Sequence, residues 1–355
     1  MKKSIRTIAM AALAGVSMVA LAACGGSDTP ASDDTTTTDD PATEAPADDT
    51  EEPDEDVAAT ISDLSGKTVG FVAVGPEGGW RDANEADVQD AFKEAGANLI
   101  YAGDANNDQA NQLKAFEDFL NQGVDVILLS ATEATGWEDA LGEAKDEGIP
   151  VILIDRMIEP DNPDLYVQRL APNNTEVAAN AADWANTEFP DGANYVTLEG
   201  PSGVSVVNER NDGWDSKINS NFKKVDAQTA NWSAEEGKTV LAAMMKANNN
   251  DIQLVFAQND EMGLGAVQAV EEAGLKPGED VKIITIDGTT PALKSLAEGK
   301  LSLVAEYNPL FGADAVQTAV SALNGEEVEK NYIVPSLIFD SPEAAQTALD
   351  EGRPF

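Results

Sequence analysis

No histidine occurs anywhere in the 355 residues, and cysteine occurs once, at Cys24. The first absence removes catalysis by a Ser/His or Cys/His pair and any histidine-ligated metal. The second makes a disulfide within the chain impossible. Positive charge is also scarce: 22 Lys and Arg face 64 Asp and Glu, a formal net charge of −42. That balance argues against nucleic acid and anionic lipid headgroups as partners, and it suits a medium of high salt. No Walker sequence and no Gly-x-Gly-x-x-Gly after a strand is present, so no cofactor is expected. Asp104-Ala-Asn106-Asn-Asp108 looks like the start of a calcium loop, but position six is Gln109 and position twelve is Ala115. Without the glycine and the glutamate such a loop cannot wrap the ion, and no metal is expected.

What is present begins with Lys2, Lys3 and Arg6, then an apolar run from about Ile8 to Ala23. The run is shorter than the roughly 20 residues a spanning helix needs, and it reads as an export signal over residues 1–23. Leu21-Ala22-Ala23-Cys24 resembles the lipobox of bacterial lipoproteins, which implies cleavage before Cys24, lipidation of its thiol and anchoring to the outer face of the cell membrane. An ordinary signal peptide with an incidental cysteine is the alternative. Residues 25–60 then hold 13 Asp or Glu and no Lys or Arg, among many Thr, Pro and Ala. Such a stretch cannot bury enough apolar surface to order itself, so residues 24–62 are expected to be a self-repelling tether. Setting aside the three basic signal residues and these acids leaves 19 basic and 51 acidic residues, a net of −32.

From Lys67 onward short apolar runs alternate with helical patterns. Strands are expected at Thr68–Val74, Asn98–Tyr101, Val124–Leu129, Pro150–Ile154, Leu165–Leu170, Tyr195–Leu198, Val225–Thr229, Leu254–Ala257, Val281–Thr285 and Leu301–Ala305. Glu85–Ala95, Asp108–Asn121, Thr135–Asp146 and Val177–Thr187 carry apolar residues at helical spacing. This alternation implies α/β architecture, with parallel sheets covered on both faces. Ten strands are many for one strongly twisted sheet, so two lobes are expected, with a break near Ala171-Pro172-Asn173-Asn174. One stretch shows the repeating unit. The apolar run Ile252–Phe256 gives way to Gln258-Asn259-Asp260, with Asp260 at an expected N-cap and a helix after it. Polar groups thus stand at the carboxyl end of a strand, where open α/β sheets hold their ligands.

Two further stretches make the pattern specific: Gly79-Trp80-Arg81 after the first strand and Ala134-Thr135-Gly136-Trp137-Glu138 after the third. With the lipobox and the βα alternation, they resemble the sugar-binding proteins of ABC transporters: type I periplasmic binding proteins of the ribose-binding type, closest to the galactofuranose-binding branch. The likeness runs from about Lys67 to the C-terminus. It implies two Rossmann-like lobes with parallel sheets joined by a three-strand hinge, residues 66–170 plus 308–336 in lobe 1 and 172–306 plus 337–355 in lobe 2. It further implies a monosaccharide ligand, delivery to the permease subunits of an ABC transporter, an extracytoplasmic location, a monomer and no catalysis.

The same resemblance assigns roles to residues at strand ends. A sugar offers hydroxyls that donate and accept, and C–H faces that stack on aromatic rings. Trp80 would stack, and Arg81 would donate from the same loop, with Glu77 nearby. Asp155-Arg156 matches the pair that holds ring hydroxyls in ribose binders; a mutual salt bridge is the alternative. Arg210 matches an arginine from the first helix of the second lobe, and Trp232 the aromatic that closes over the sugar. Asn259 and Asp287 match an amide and a carboxylate, although Asp287 also suits a plain helix N-cap. Glu306 stands where ribose binders have glutamine and resembles the glutamate of the galactofuranose branch, which points away from ribose. Asn173 would contribute from the first crossover or serve a turn. Trp137, Trp184 and Trp214 are expected to pack. Only five arginines remain after the signal, and Arg81, Arg156 and Arg210 are three of them, as expected where a rigid fork of donors is needed. The expected ligand is a hexose or furanose-type sugar, with galactofuranose, fructose, arabinose and xylose as candidates. A sensory receptor of the same fold and a surface glycosidase are the other two readings.

Overall fold

The computed structural model describes residues 61–160 and 162–355; the expected export signal, Cys24 and nearly all of the expected tether lie outside the described residues. Two six-stranded sheets form the framework. The first contains β1 (Thr68–Val72), β2 (Asn98–Ala102), β3 (Val126–Leu129), β4 (Val151–Ile154), β5 (Arg169–Ala171) and β11 (Asn331–Ile333), in the order β2-β1-β3-β4-β5-β11. The second contains β6 (Asn194–Glu199), β7 (Lys223–Thr229), β8 (Leu254–Ala257), β9 (Lys282–Asp287), β10 (Leu303–Glu306) and β12 (Ile338–Phe339), in the order β7-β6-β8-β9-β10-β12. Every pairing is parallel except β10 with β12. The chain passes between the sheets three times, at residues 172–173, 307–311 and 334–337.

The central strands read Val-Ile-Leu-Leu, Val-Ile-Leu-Ile and Leu-Val-Phe-Ala, and all of their residues are buried. Such runs suit only a sheet covered on both faces. In the first sheet Val69, Phe71, Leu128, Ile152 and Ile154 point to one side, where α1 (Gly79–Glu94) and α9 (Gly312–Leu323) pack through Val88, Phe92 and Ala315. Val72, Ile127, Leu129 and Leu153 point to the other, against α2 (Gln109–Gln122) and α3 (Glu138–Asp146). The second sheet repeats this scheme. Tyr195, Phe256 and Ile284 meet α4 (Asn174–Glu188) and α5 (Ser205–Lys217). Val196, Val255 and Ile283 meet α6 (Ala234–Ala247), α7 (Asp260–Glu272), α8 (Thr290–Ala297) and α10 (Pro342–Asp350). Trp214 stacks on Phe256 with centroids 4.3 Å apart, and Trp137 is fully buried beside Phe116, so both tryptophans pack as expected; Trp184 lies against the core edge.

The structure departs from the sequence reading in four places. Strands β11 and β12 were not expected, because three exposed residues and a pair carry no apolar period. Of the run Leu165–Leu170 only its end is strand: Pro163 starts a single 3-10 turn, held by Asn162 accepting from the Asp164 N–H at 3.0 Å. Helix α1 begins at Gly79, so Trp80 and Arg81 stand on its first turn rather than in a loop. The N-cap of α7 is Asn259, whose Oδ1 accepts from the Met262 N–H at 3.0 Å; Asp260 is the first helical residue and its carboxylate turns elsewhere.

Candidate ligand-binding site

At the carboxyl ends of both sheets, side chains from seven strand–helix junctions surround one cavity. Glu77, Trp80 and Arg81 come from the turn after β1 and the start of α1; Asp155 and Arg156 directly follow β4. The other half supplies Val206 and Arg210 from α5, Trp232 from the β7–α6 turn, Asn259 after β8 and Asp287 at the end of β9. Tyr307, directly after β10 in the second crossing, completes the wall. Three arginines and three carboxylates therefore line one space.

In the first half the charges are closely paired. Arg81 Nη2 lies 2.6 Å from Asp155 Oδ2, and its Nε lies 3.4 Å from Glu77. Arg156 Nη2 meets Glu77 at 2.6 Å, and its Nη1 donates to the Ala131 carbonyl at 3.3 Å. Arg81, Asp155 and Arg156 are 2 to 4% exposed, so removing one partner would strand a buried charge. Burial opposes ionisation of Asp155, yet Arg81, Arg156 and Arg169 together hold its carboxyl below the usual range.

The second half is looser. Arg210 Nη2 stands 3.5 Å from Asp287 Oδ1, while its Nη1 donates to the Gln258 carbonyl. Burial pushes the Asp287 carboxyl well above its ordinary value; Arg210 opposes that, and neighbouring Asp260 and Glu261 add to it. Asp260 explains how Asp287 is aimed. Its fully buried carboxylate accepts from Thr285 Oγ1 at 2.5 Å, from the N–H groups of Gly288 and Thr289 at 2.9 and 2.7 Å, and from Thr289 Oγ1 at 2.8 Å. This clamp fixes a turn in which Asp287 has φ 129, a backbone state few non-glycine residues adopt. Asp155 shares the peculiarity, with φ 72.

Aromatic rings and a polar relay link the halves. Trp80 lies 5.3 Å from Tyr307, centroid to centroid, and donates through Nε1 to the Tyr307 carbonyl. Arg210 stands 4.9 Å from the Tyr307 ring and 5.7 Å from that of Trp232. At the back of the cavity the Tyr307 hydroxyl donates to Asp155 Oδ1 at 2.9 Å and accepts from Asn174 Nδ2 at 3.0 Å. Asn174 Oδ1 accepts from Arg210 Nε at 2.9 Å. Arg169 ties the same region together, with its Nη2 3.2 Å from Glu209 and its Nε donating to the Asp155 carbonyl. Arg156 Nε and Trp232 Nε1 are buried with no hydrogen-bond partner among the described residues.

Nine of the eleven expected site residues thus line this cavity. Asn173 does not: it caps α4, its Oδ1 accepting from the Glu176 N–H at 3.2 Å. Nor does Glu306, whose Oε1 lies 2.9 Å from Arg353 while Oε2 accepts from the Leu337 N–H at 2.7 Å. Its carboxylate fastens the third crossing and the C-terminal segment instead. The sequence reading missed Val206, Tyr307 and the supporting Asn174. Tyr307 could have been found, because it follows a strand end directly and stands one residue past Glu306; Val206 had no such signal.

Residues 69–327, most of the chain, match the model of the periplasmic binding protein domain. The chain belongs to that family. Like its relatives it is a substrate-binding protein, not an enzyme, and it acts outside the cytoplasm. It is 45% identical to the fructose import binding protein FruE of Bifidobacterium longum, over 98% of this chain and 97% of that protein. It is 35% identical to the galactofuranose-binding protein YtfQ of Escherichia coli, over 81% and 91%. Among solved structures, the binding component of the arabinose ABC transporter from Shewanella sp. ANA-3, bound to L-arabinofuranose, superposes with a TM-score of 0.78 at 34% identity, covering 81% of this chain and 96% of that one.

Proposed function

We propose that this periplasmic binding protein captures a monosaccharide in furanose form between its two halves and hands it to the permease of an ABC importer. The observation that carries the reading is the balance of the cavity: Glu77, Asp155 and Asp287 offset Arg81, Arg156 and Arg210. A site built of so many charges with none left over suits a neutral ligand rich in hydroxyls, since each hydroxyl can donate to a carboxylate and accept from a guanidinium. Trp80 and Trp232, one from each half, supply apolar walls for the ring faces. Galactofuranose and arabinofuranose, named for two of the relatives, are five-membered rings, and fructose, named for the third, can adopt one; this supports a furanose over a pyranose. The fructose relative is named for import and the arabinose one for an ABC transporter, which supports import over sensing. Micromolar affinity corresponds to about −8 kcal/mol, which several charge-assisted hydrogen bonds and two stacked rings supply after ordering costs.

The working cycle is closure. Residues 66–170 with 308–336, and 172–306 with 337–355, act as two lobes that rotate about the three crossings, and sugar contacts from the second lobe favour the closed form. Cys24, the lone cysteine following an export-like segment, serves as the lipid anchor that keeps the protein at the membrane beside its permease. A thermal-shift screen against fructose, arabinose, galactose, xylose, ribose and glucose tests the ligand class. Fructose or arabinose should raise the melting temperature by mass action and glucose should leave it unchanged. A shift with glucose alone would overturn the furanose assignment, and no shift with any sugar would overturn the site.

A further inference from the structure

The mouth of the cleft holds a contact that no sugar needs, and its significance rests on the sugar-binding function proposed for the cavity. Helix α1 starts at Gly78 and Gly79 with no side-chain cap of its own, although its next two residues are Trp80 and Arg81. The missing cap comes from the other half. Glu261, on α7, accepts from the Gly79 N–H through Oε1 at 2.8 Å and from Asn259 Nδ2 through Oε2 at 2.7 Å. Gly78 leaves the room for it: its φ is 110, and a Cβ there would collide with Oε1. One carboxylate that does not line the sugar cavity therefore fastens the Trp80–Arg81 helix of one half to the Asn259 of the other. We infer that Glu261 is a positioning residue, a proton-sensitive latch that holds the closed form without touching the sugar.

The groups facing this carboxylate are mostly acidic. Asp260 precedes it on α7, Asp82 faces it from α1, and Asp287 lies close by at the end of β9; Glu77 and Arg156 stand across the adjoining space between the halves. Burial, then Asp260 and Asp82, push the Glu261 carboxyl up to about 6, while the Gly79 N–H pulls it back. On opening, the group returns to water and to its ordinary value of 4.5. An acid whose pKa is higher closed than open holds its proton more tightly when closed. Closing therefore takes up a proton between these two values, and it becomes easier as the pH falls.

The test tracks closure and binding together, with one dye on α2 and one on α6, and D-fructose as the probe, from pH 7.5 to 5. In the wild type the sugar-free closed fraction and the fructose affinity should both rise on acidification, by roughly eightfold at most from this one group. Glu261→Gln, neutral at every pH, should close with a much flatter dependence, and the slope it keeps belongs to Asp287. Glu261→Ala, which lacks the contact, should close less and bind several-fold more weakly throughout. An undiminished slope in Glu261→Gln, or wild-type closure and affinity in Glu261→Ala, would sink the latch. Should neither D-fructose nor any other sugar of the screen bind while the sugar-free closed fraction still varies with pH through Glu261, the sugar reading falls and the latch stands.

Discussion

The two halves solve the same problem with unequal completeness. Strands β4 and β9 occupy the same place in their sheets, and each carries an aspartate at positive φ at its carboxyl end, Asp155 directly after β4 and Asp287 as the last residue of β9. Each aspartate faces an arginine from the helix after the corresponding strand, Arg81 after β1 and Arg210 after β6. In the first half the pair is 2.6 Å apart and surrounded by further cations; in the second it is 3.5 Å apart and surrounded by acids. The first half is thus electrostatically satisfied as it stands, whereas the second keeps a carboxylate that gains from another donor. A pre-organised half costs little to order on binding, and a half in need of a donor is the one whose contacts the ligand can strengthen. The difference suits a sequence of events in which the sugar docks on the first half and the second closes to settle its own charge.

Four experiments break or sharpen this contrast. The largest effect belongs to the satisfied half: Asp155→Ala or Arg156→Ala should lower sugar affinity at least a hundredfold by calorimetry, with the fold retained by circular dichroism. Asp155→Ala should also cost about 3 kcal/mol of stability in urea, because buried Arg81 loses its 2.6 Å carboxylate and keeps only Glu77 at 3.4 Å. Next comes Asp287→Asn, expected to weaken binding by about ten- to a hundredfold yet to leave the sugar-free melting temperature equal or higher. Equal stability losses from Asp155→Asn and Asp287→Asn would abolish the distinction between the halves.

The third experiment is the pH dependence of the sugar-free protein. Asp155, with a lowered folded value, contributes fully above its ordinary 3.8 and loses that contribution only as pH falls through the lower value. Asp287, with a raised one, favours the fold most below 3.8 and progressively less as pH climbs through its folded value. Urea midpoints from pH 4 to 7 should therefore decline less in Asp287→Asn than in the wild type, and a parallel decline would place the cause elsewhere. The smallest effect is expected for Glu306→Gln. Sugar affinity should stay within about twofold while stability drops, because that carboxylate serves Arg353 and Leu337. A large affinity loss would return Glu306 to the sugar.

Most of the fold was legible because apolar runs such as Val151–Ile154 and Leu254–Ala257 have no other use than a doubly covered sheet. β11 and β12 were not, since edge strands of two or three residues form by pairing with distant partners, β5 and β10, and carry no period of their own. The site was readable wherever a polar residue directly follows such a run, as Asp155-Arg156 and Asn259 do. It failed where geometry turns on one residue. Along a strand successive side chains face opposite ways, and at the end of β10 the cavity falls to Tyr307 while Glu306 is turned to the C-terminal segment. The exchange between Asn259 and Asp260 has the same origin. Either side chain can cap a helix, and only the distant Gly288–Thr289 turn, which takes the Asp260 carboxylate, leaves the cap to Asn259.

The distribution of indole rings gives the molecule an optical gauge of its own. Of five tryptophans, Trp137, Trp184 and Trp214 belong to the cores or their edge, and only Trp80 and Trp232 reach the cavity, one on each side. Any change of intrinsic emission on adding a solute must come chiefly from those two rings. Replacing each by phenylalanine in turn would then show, without any attached dye, which wall feels the newcomer first.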